Sequence, residues 1–161
     1  MTIQEPRFIV DDTLHRLGRW LRTAGYDTGF IDESTRAAIA DNDGHVAADY
    51  YLLRQAINAG RFLLTSAPAI AEMRRANGTV LLIESDNLED CVEELGAYLN
   101  INWHFKPFSR CSVCNTELNL SVDETSEDNS YCPGCKQVFW DASHTERMRT
   151  QLNSWYQKYS Y

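Results

Sequence analysis

The sequence contains no apolar run that approaches the roughly 20 residues needed to cross a bilayer, which argues against a membrane-spanning protein. It has no charged-then-apolar leader in residues 1–6, so we expect a cytoplasmic protein. It also lacks a glycine-rich phosphate loop and long internal repeats, which argues against nucleotide-cradling and solenoid classes. With 161 residues, the chain can form one ordinary domain and a small appended module.

Positive charge is scarce. The chain has 15 Lys and Arg against 23 Asp and Glu, which gives a net charge of −8. This balance argues against a general nucleic-acid coat protein. No Lys or Arg occurs between Arg75 and Lys106, whereas arginines are concentrated near the N-terminus. One face of an acidic protein can therefore still be basic.

Four of the five cysteines form two Cys-x-x-Cys pairs with seventeen residues between them: Cys111, Cys114, Cys132 and Cys135. Each pair places two thiolates on a tight turn, and two such turns complete a tetrahedral zinc shell. Because four sulfurs leave no open position, the predicted zinc is structural. Two disulfides or a redox pair are the alternatives. The missing leader disfavours disulfides, and a redox pair does not need a second Cys-x-x-Cys.

Short β-rich runs alternate with helical patterns through residue 99. The predicted strands are residues 8–10, 26–31, 61–65 and 79–83, and the predicted helices are residues 12–24, 46–59, 69–75 and 88–99. This alternation predicts βαβ units and a parallel sheet, with binding and chemistry at its carboxyl edge. We predict an α/β domain over residues 1–99, a zinc-ribbon module over 108–148 and an aromatic tail over 149–161. Residues 100–109 form either a linker or an extra strand.

Acidic residues fall at this predicted edge. Asp11 and Asp12 close the first strand, Asp49 opens a helix, and Asp86 follows the last strand. Carboxylates collected there would bind Mg²⁺ or Mn²⁺ through oxygen ligands, and such an ion would activate water at a scissile phosphate. The alternatives are structural. Asp12 would be a helix N-cap, Asp49 would complement a helix N-terminus, and Asp86 would begin a capping box.

A basic stripe is predicted on the first helix. Arg16, Arg19 and Arg22 recur at three-residue steps opposite the leucines, and such a stripe can neutralise RNA phosphates. Arg147, three residues after His144, is a further candidate for RNA contact. The alternatives are a solvated or acid-paired helix face for the stripe, and packing against the ribbon for Arg147.

A series of motifs runs through the chain in a familiar order. The segments are FIVDDTL at 8–14, RLGRWLR at 16–22, GYDT at 25–28, DYYLL at 49–53, GRFLLT at 60–65, FSRC at 108–111, CPGC at 132–135, FW at 139–140, SH at 143–144 and RM at 147–148. Jointly they resemble the Mut-seven C-terminal RNase domain family and cover nearly the whole chain. The resemblance implies an α/β PIN-like nuclease domain followed by a small C-terminal zinc ribbon.

The resemblance also implies a ribonuclease that depends on Mg²⁺ or Mn²⁺, with Asp11 and Asp49 as its first two carboxylates. This chain departs from the family pattern after the third strand. Where the family usually has Thr-Arg-Asp-Arg, residues 65–68 read Thr-Ser-Ala-Pro. The third carboxylate therefore falls on Ala67, which cannot bind a metal. Loss of one carboxylate weakens metal affinity unless another acidic residue compensates.

We therefore expect a metal-dependent endoribonuclease or RNA-processing protein, weakened at Ala67, acting on single-stranded or structured RNA. The alternative is a non-catalytic RNA- or protein-binding module with the same fold and structural zinc, which Ala67 and the negative net charge favour. A protein partner would bind through aromatic residues of the tail. These residues are Trp155, Tyr156, Tyr159 and Tyr161.

Overall fold

A computed structural model describes residues 4–118, 132–135 and 142–159. Its elements in chain order are β1 (Phe8–Val10), α1 (His15–Ala24), β2 (Thr28–Phe30), α2 (Glu33–Asp43), α3 (His45–Ala59), β3 (Phe62–Thr65), α4 (Pro68–Ala71), β4 (Val80–Leu82), α5 (Leu88–Tyr98) and α6 (Ala142–Tyr159). No helix among these residues combines the length and apolar character that a membrane span needs. The motif at 139–140 and Tyr161 lie outside the described residues.

The four strands form one sheet in the order β2-β1-β3-β4, and every neighbouring pair is parallel. In the central pair, Phe8 lies opposite Phe62 and Val10 opposite Leu64. Because all strands run in one direction, their carboxyl ends share one edge of the sheet. The predicted α/β fold with a parallel sheet is thus confirmed.

Two predicted helix starts differ from the structure. Asp12 does not cap α1, because Asp12–Leu14 forms a short 3-10 turn and α1 begins at His15. Asp86 does not cap α5 either. Its N-cap is Asn87, whose side-chain oxygen accepts from the backbone N–H of Asp90 at 2.9 Å. Neither structural alternative proposed for these two aspartates is therefore realised.

The helix α2 is absent from the sequence prediction. Its N-cap, Asp32, accepts hydrogen bonds from the backbone N–H groups of Ser34 and Thr35. These bonds satisfy donors that have no partner within the helix. None of the residues of α2 is buried, so the helix lacks the apolar stripe from which helices are recognised in sequence. It packs along α3 at the carboxyl edge of the sheet.

The C-terminal helix belongs to the main hydrophobic core. Trp155 is fully buried, lies 5.0 Å from Trp20 and 4.8 Å from Trp103 between ring centroids, and donates its indole N–H to Glu89 at 2.8 Å. The prediction that Trp155 is a partner-binding residue of an aromatic tail is therefore wrong. Tyr156, next along the helix, is partly exposed and stacks on the ring of His104.

The predicted linker is packed against α1. The backbone N–H of Lys106 donates to Ala24 and that of Phe108 donates to Thr23, at 2.9 and 2.8 Å. Gly25 ends α1 with a φ of +104°, and a Cβ there would lie 2.5 Å from the carbonyl oxygen of Lys106. Only glycine satisfies both conditions. The segment leading to the cysteines is thereby fixed to the end of α1.

Candidate functional site

Asp11 lies at the carboxyl edge of the sheet, directly after β1, and only 3% of its surface is exposed. Its backbone N–H donates to Leu64 on the neighbouring strand. Its Oδ2 accepts the hydroxyl of Thr65, the last residue of β3, at 2.9 Å. Because a buried carboxylate needs partners, these contacts fix both the position and the rotamer of Asp11.

A guanidinium joins Asp11 to Asp49. Arg36 on α2 places Nη1 3.3 Å from Asp11 Oδ1 and Nη2 3.4 Å from Asp49 Oδ1. The side chains of Asp49 and Arg36 are 16% and 23% exposed, so this three-residue group is largely shielded from water. Asp11 and Asp49, both predicted from sequence, therefore converge on one cationic group. That group is Arg36, which the sequence did not single out.

The third strand ends beside this pair without supplying a carboxylate. Thr65 Oγ1 accepts from the backbone N–H of Ala67 at 3.1 Å, and Ser66 shares a 2.8 Å hydrogen bond with Thr13. Ala67 is the N-cap of α4 and has no side-chain capping bond. Ala67, two residues after the end of β3, thus contributes only a methyl group.

The other two acidic candidates do not join the pair. Asp12 is exposed in the turn after β1, and Asp86 is exposed before α5. Throughout the described residues, the four cysteines are the only group of three or more side chains whose metal-ligating atoms converge. Asp11 and Asp49 therefore stand as a pair of carboxylates bridged by a guanidinium.

The four predicted cysteines form a compact cluster. The Sγ atoms of Cys111, Cys114, Cys132 and Cys135 all lie within 4.8 Å of one another. The separation is 3.8 Å between Cys111 and Cys135 and 3.4 Å between Cys114 and Cys132. None forms a disulfide, and Cys111 and Cys132 are buried. Four converging sulfurs match a closed tetrahedral metal shell, so the cluster can bind a metal and fits a zinc ribbon.

The first cysteine turn is fixed to the sheet domain through Arg22. This side chain is 4% exposed, lies against the ring of Phe30, and donates to the carbonyl of Thr28 at 2.7 Å and to that of Val113 at 2.8 Å. Burial lowers the pKa of Arg22 to about 10. The prediction that Arg22 belongs to an exposed stripe is wrong, because its donors already bind backbone carbonyls. Arg16, Arg19 and Arg147 are exposed.

Asn115 provides a second link at the same turn. Its side-chain oxygen accepts from the backbone N–H of Thr28 at 3.1 Å, and its amide donates to Asp27 at 2.7 Å. Asp27 in turn forms a bidentate ion pair with Arg61, with both distances 2.9 Å. Asn115 therefore fixes the first cysteine turn to Asp27 and to Thr28, the first residue of β2.

The sequence model of the Mut7-C RNAse domain matches residues 6–152. The chain belongs to this family. No curated protein and no solved structure matches the chain. Membership makes ribonuclease activity the expected chemistry of this fold and RNA the expected substrate class.

In this Mut7-C domain, sequence patterns identified both carboxylates of the pair but not the groups that hold them. Thr65 orients Asp11, and Arg36 neutralises Asp11 and Asp49 together. Thr65 lies within a motif noted in the sequence, so its placement next to Asp11 follows once β1 and β3 are paired. Arg36 lies on a helix without apolar periodicity, and no sequence signal indicated its role.

Proposed function

We propose that this Mut7-C domain is a weakened ribonuclease that depends on Mg²⁺ or Mn²⁺. The observation that carries the proposal is the convergence of Asp11 and Asp49 on a single cationic group. Two buried or half-buried carboxylates are costly unless a cation compensates their charge, and a divalent ion can take over that role from Arg36. Family membership supports RNA cleavage as the proposed reaction.

The donors of this site fit a hard divalent ion. Asp11 and Asp49 offer carboxylate oxygens, which Mg²⁺ and Mn²⁺ prefer, and Mg²⁺ is commonly bound by one or two carboxylates together with substrate phosphates. When bound, the ion would supply an activated water and stabilise charge on the scissile phosphate. With Ala67 in place of a third carboxylate, phosphate oxygens of the RNA would have to supply the remaining ligands.

The chain's own residues prepare this site for the ion. Thr65 holds the Asp11 carboxylate in one rotamer, which reduces the entropy lost on binding. Arg36 neutralises the two carboxylates, and displacement of its contacts to one oxygen of each would accompany their use as ligands. This displacement and the missing third carboxylate both predict weak metal affinity and slow turnover.

We further propose that the four cysteines bind one structural zinc ion, and that Arg16, Arg19 and Arg147 contact RNA. The zinc proposal is supported by the closed sulfur shell. The RNA proposal is supported by the exposure of three arginines on a chain with net charge −8. Exposed arginines neutralise RNA phosphates, and the release of counterions from the RNA then favours binding.

The nuclease proposal is tested by cleavage of single-stranded RNA by zinc-loaded protein, with manganese varied up to the millimolar range. Asp11→Asn should abolish cleavage, because an amide binds the ion poorly. Asp12→Asn is the matched control, since Asp12 is the exposed neighbour of Asp11. Both variants must retain zinc and helical content. Metal-dependent cleavage that survives in Asp11→Asn would show that the activity resides elsewhere.

A non-catalytic RNA-binding module is the second candidate function. The observation in its favour is that Arg36 already neutralises the carboxylate pair, while Ala67 removes the third ligand. This candidate requires wild-type protein to bind RNA without cleaving it at any manganese concentration. It also requires the Ala67→Asp variant to remain inactive.

A further inference from the structure

A cavity of about 300 Å³ lies outside the carboxylate pair, where three parts of the chain meet. It lies between α1, the first cysteine turn and α6. Its principal lining residues are Arg16, Arg19, Trp20, Ser112, His144 and Met148. A volume of this size is at the lower end of the range of small-ligand sites. The wall contains cationic arginines and an aromatic ring. These groups complement the phosphate and the base of a nucleotide.

The cationic part of the wall is available to an anion. Arg16 and Arg19 are exposed, and no carboxylate in the described part of the chain forms an ion pair with either of them. By contrast, Arg36, Arg61 and Arg110 each pair with an acidic side chain. Arg16 and Arg19 lie three residues apart on α1, so in a chain with net charge −8 their two guanidinium groups can bind the same phosphate.

The apolar part of the wall is packed against the hydrophobic core. Trp20 is half-buried and meets the buried Trp155 at an interplanar angle of 77°, so its ring is held by the core. Met148 on α6 packs against the same core. An aromatic ring held in this way loses little entropy when a base stacks on it, and a thioether adapts to the edge of the base.

We infer that this cavity binds one nucleotide of a single-stranded RNA, with the phosphate at Arg16 and Arg19 and the base against Trp20 and Met148. The inference rests on the proposed function, because it takes RNA as the substrate. An unpaired base is required, since a base within a duplex does not expose its face. Because α1 begins directly after the turn that follows Asp11, Arg16 lies near the sheet edge at which the carboxylate pair is found.

The test is the binding of a fluorescein-labelled oligouridylate to zinc-loaded protein without added Mg²⁺ or Mn²⁺, measured by anisotropy across a salt series. The double variant Arg16→Gln and Arg19→Gln should bind about tenfold more weakly, and its salt slope should fall by about 0.7 because one phosphate contact is lost. The matched control is Arg54→Gln with Arg75→Gln. These arginines are also exposed but line a different cavity beside α3, so affinity and slope should stay unchanged.

A second measurement locates the base in the unaltered protein. Photocrosslinking of thiouridine-substituted RNA should label peptides that contain Trp20 or Met148. Uridine monophosphate should compete only weakly, since it lacks the neighbouring phosphates of the strand. Unchanged binding by the Arg16 and Arg19 double variant would overturn the inference, and so would crosslinks confined to peptides that contain neither Trp20 nor Met148. Failure of cleavage with binding intact would instead contradict the nuclease proposal alone.

Discussion

Arg36 Nη1 lies 3.3 Å from Asp11 Oδ1, and the other terminal nitrogen of this guanidinium reaches Asp49. Both carboxylates that a divalent ion would need therefore already contact a cation of the chain itself. Because one oxygen of each carboxylate is paired with Arg36, ion binding and the Arg36 contacts compete. The strength of the metal site depends on the outcome of this competition.

Arg36→Gln should strengthen Mn²⁺ binding by about tenfold, because removing the guanidinium restores two uncompensated carboxylates that attract the ion. The same change should lower the free energy of unfolding in the absence of metal by about 1–3 kcal/mol, since Asp11 loses a charged partner while remaining buried. Isothermal titration of Mn²⁺ into zinc-loaded protein measures the first effect, and chemical denaturation measures the second.

Arg54→Gln is the control for Arg36→Gln, because it removes an equal charge from an exposed position on α3. It should alter neither Mn²⁺ affinity nor stability appreciably. If Arg36→Gln binds Mn²⁺ no better than wild type, Arg36 does not compete with the ion, and the carboxylate pair is no metal site.

Ala67→Asp should raise both Mn²⁺ affinity and the rate of RNA cleavage, because it adds a carboxylate where β3 ends beside the Asp11 site. Ala67 is also the N-cap of α4, where aspartate would stabilise the helix by about 1 kcal/mol without any metal. Ala67→Asn separates the two effects, since asparagine caps the helix equally well but adds no charge. A gain in cleavage shared by both variants would attribute the effect to the cap.

Purified protein should carry one zinc ion per chain, and Cys111→Ser should release it and unfold the region around the cluster. Loss of the metal should also lower the stability of the sheet domain, because the first cysteine turn is bound to it through Arg22 and Asn115. Cys91→Ser is the control, since Cys91 is buried outside the cluster and should leave the zinc content unchanged. Native, reduced protein without zinc would contradict this prediction.

Local patterns in the sequence predicted most of this molecule. The spacing of the cysteines predicted the cluster, and alternating β-rich runs and helices predicted the parallel sheet and the edge at which Asp11 lies. These signals are periodic or depend on neighbouring residues, so they can be read without tertiary structure. Local patterns did not predict the tertiary contacts of Arg22 and Arg36.

Arg22 lies on a helix that was predicted correctly, but it does not lie on the exposed face of that helix. Each three-residue step on an α-helix rotates a side chain by about 60°, so Arg22 points about 120° away from Arg16. That rotation moves it from the exposed face to the carbonyls of Thr28 and Val113. The role of Arg36 depends on the docking of α2 beside two residues distant in sequence, which no local pattern contains.

The final prediction concerns Asp27, whose carboxylate receives two bonds from Arg61 and one from Asn115. Burial alone would raise the pKa of Asp27, but these hydrogen bonds outweigh burial and hold the pKa below its usual value of 3.8. Because the folded-state pKa is lowered, the charged form stabilises the protein above pH 3.8, and this contribution is lost as pH falls through the folded-state value. Asp27→Asn should therefore cost about 1–2 kcal/mol at neutral pH, and its deficit should shrink in acid. Urea denaturation of wild type and Asp27→Asn, from neutral pH to below pH 3.8, measures this deficit. A deficit that stays constant with pH would show that Asp27 acts only through its shape.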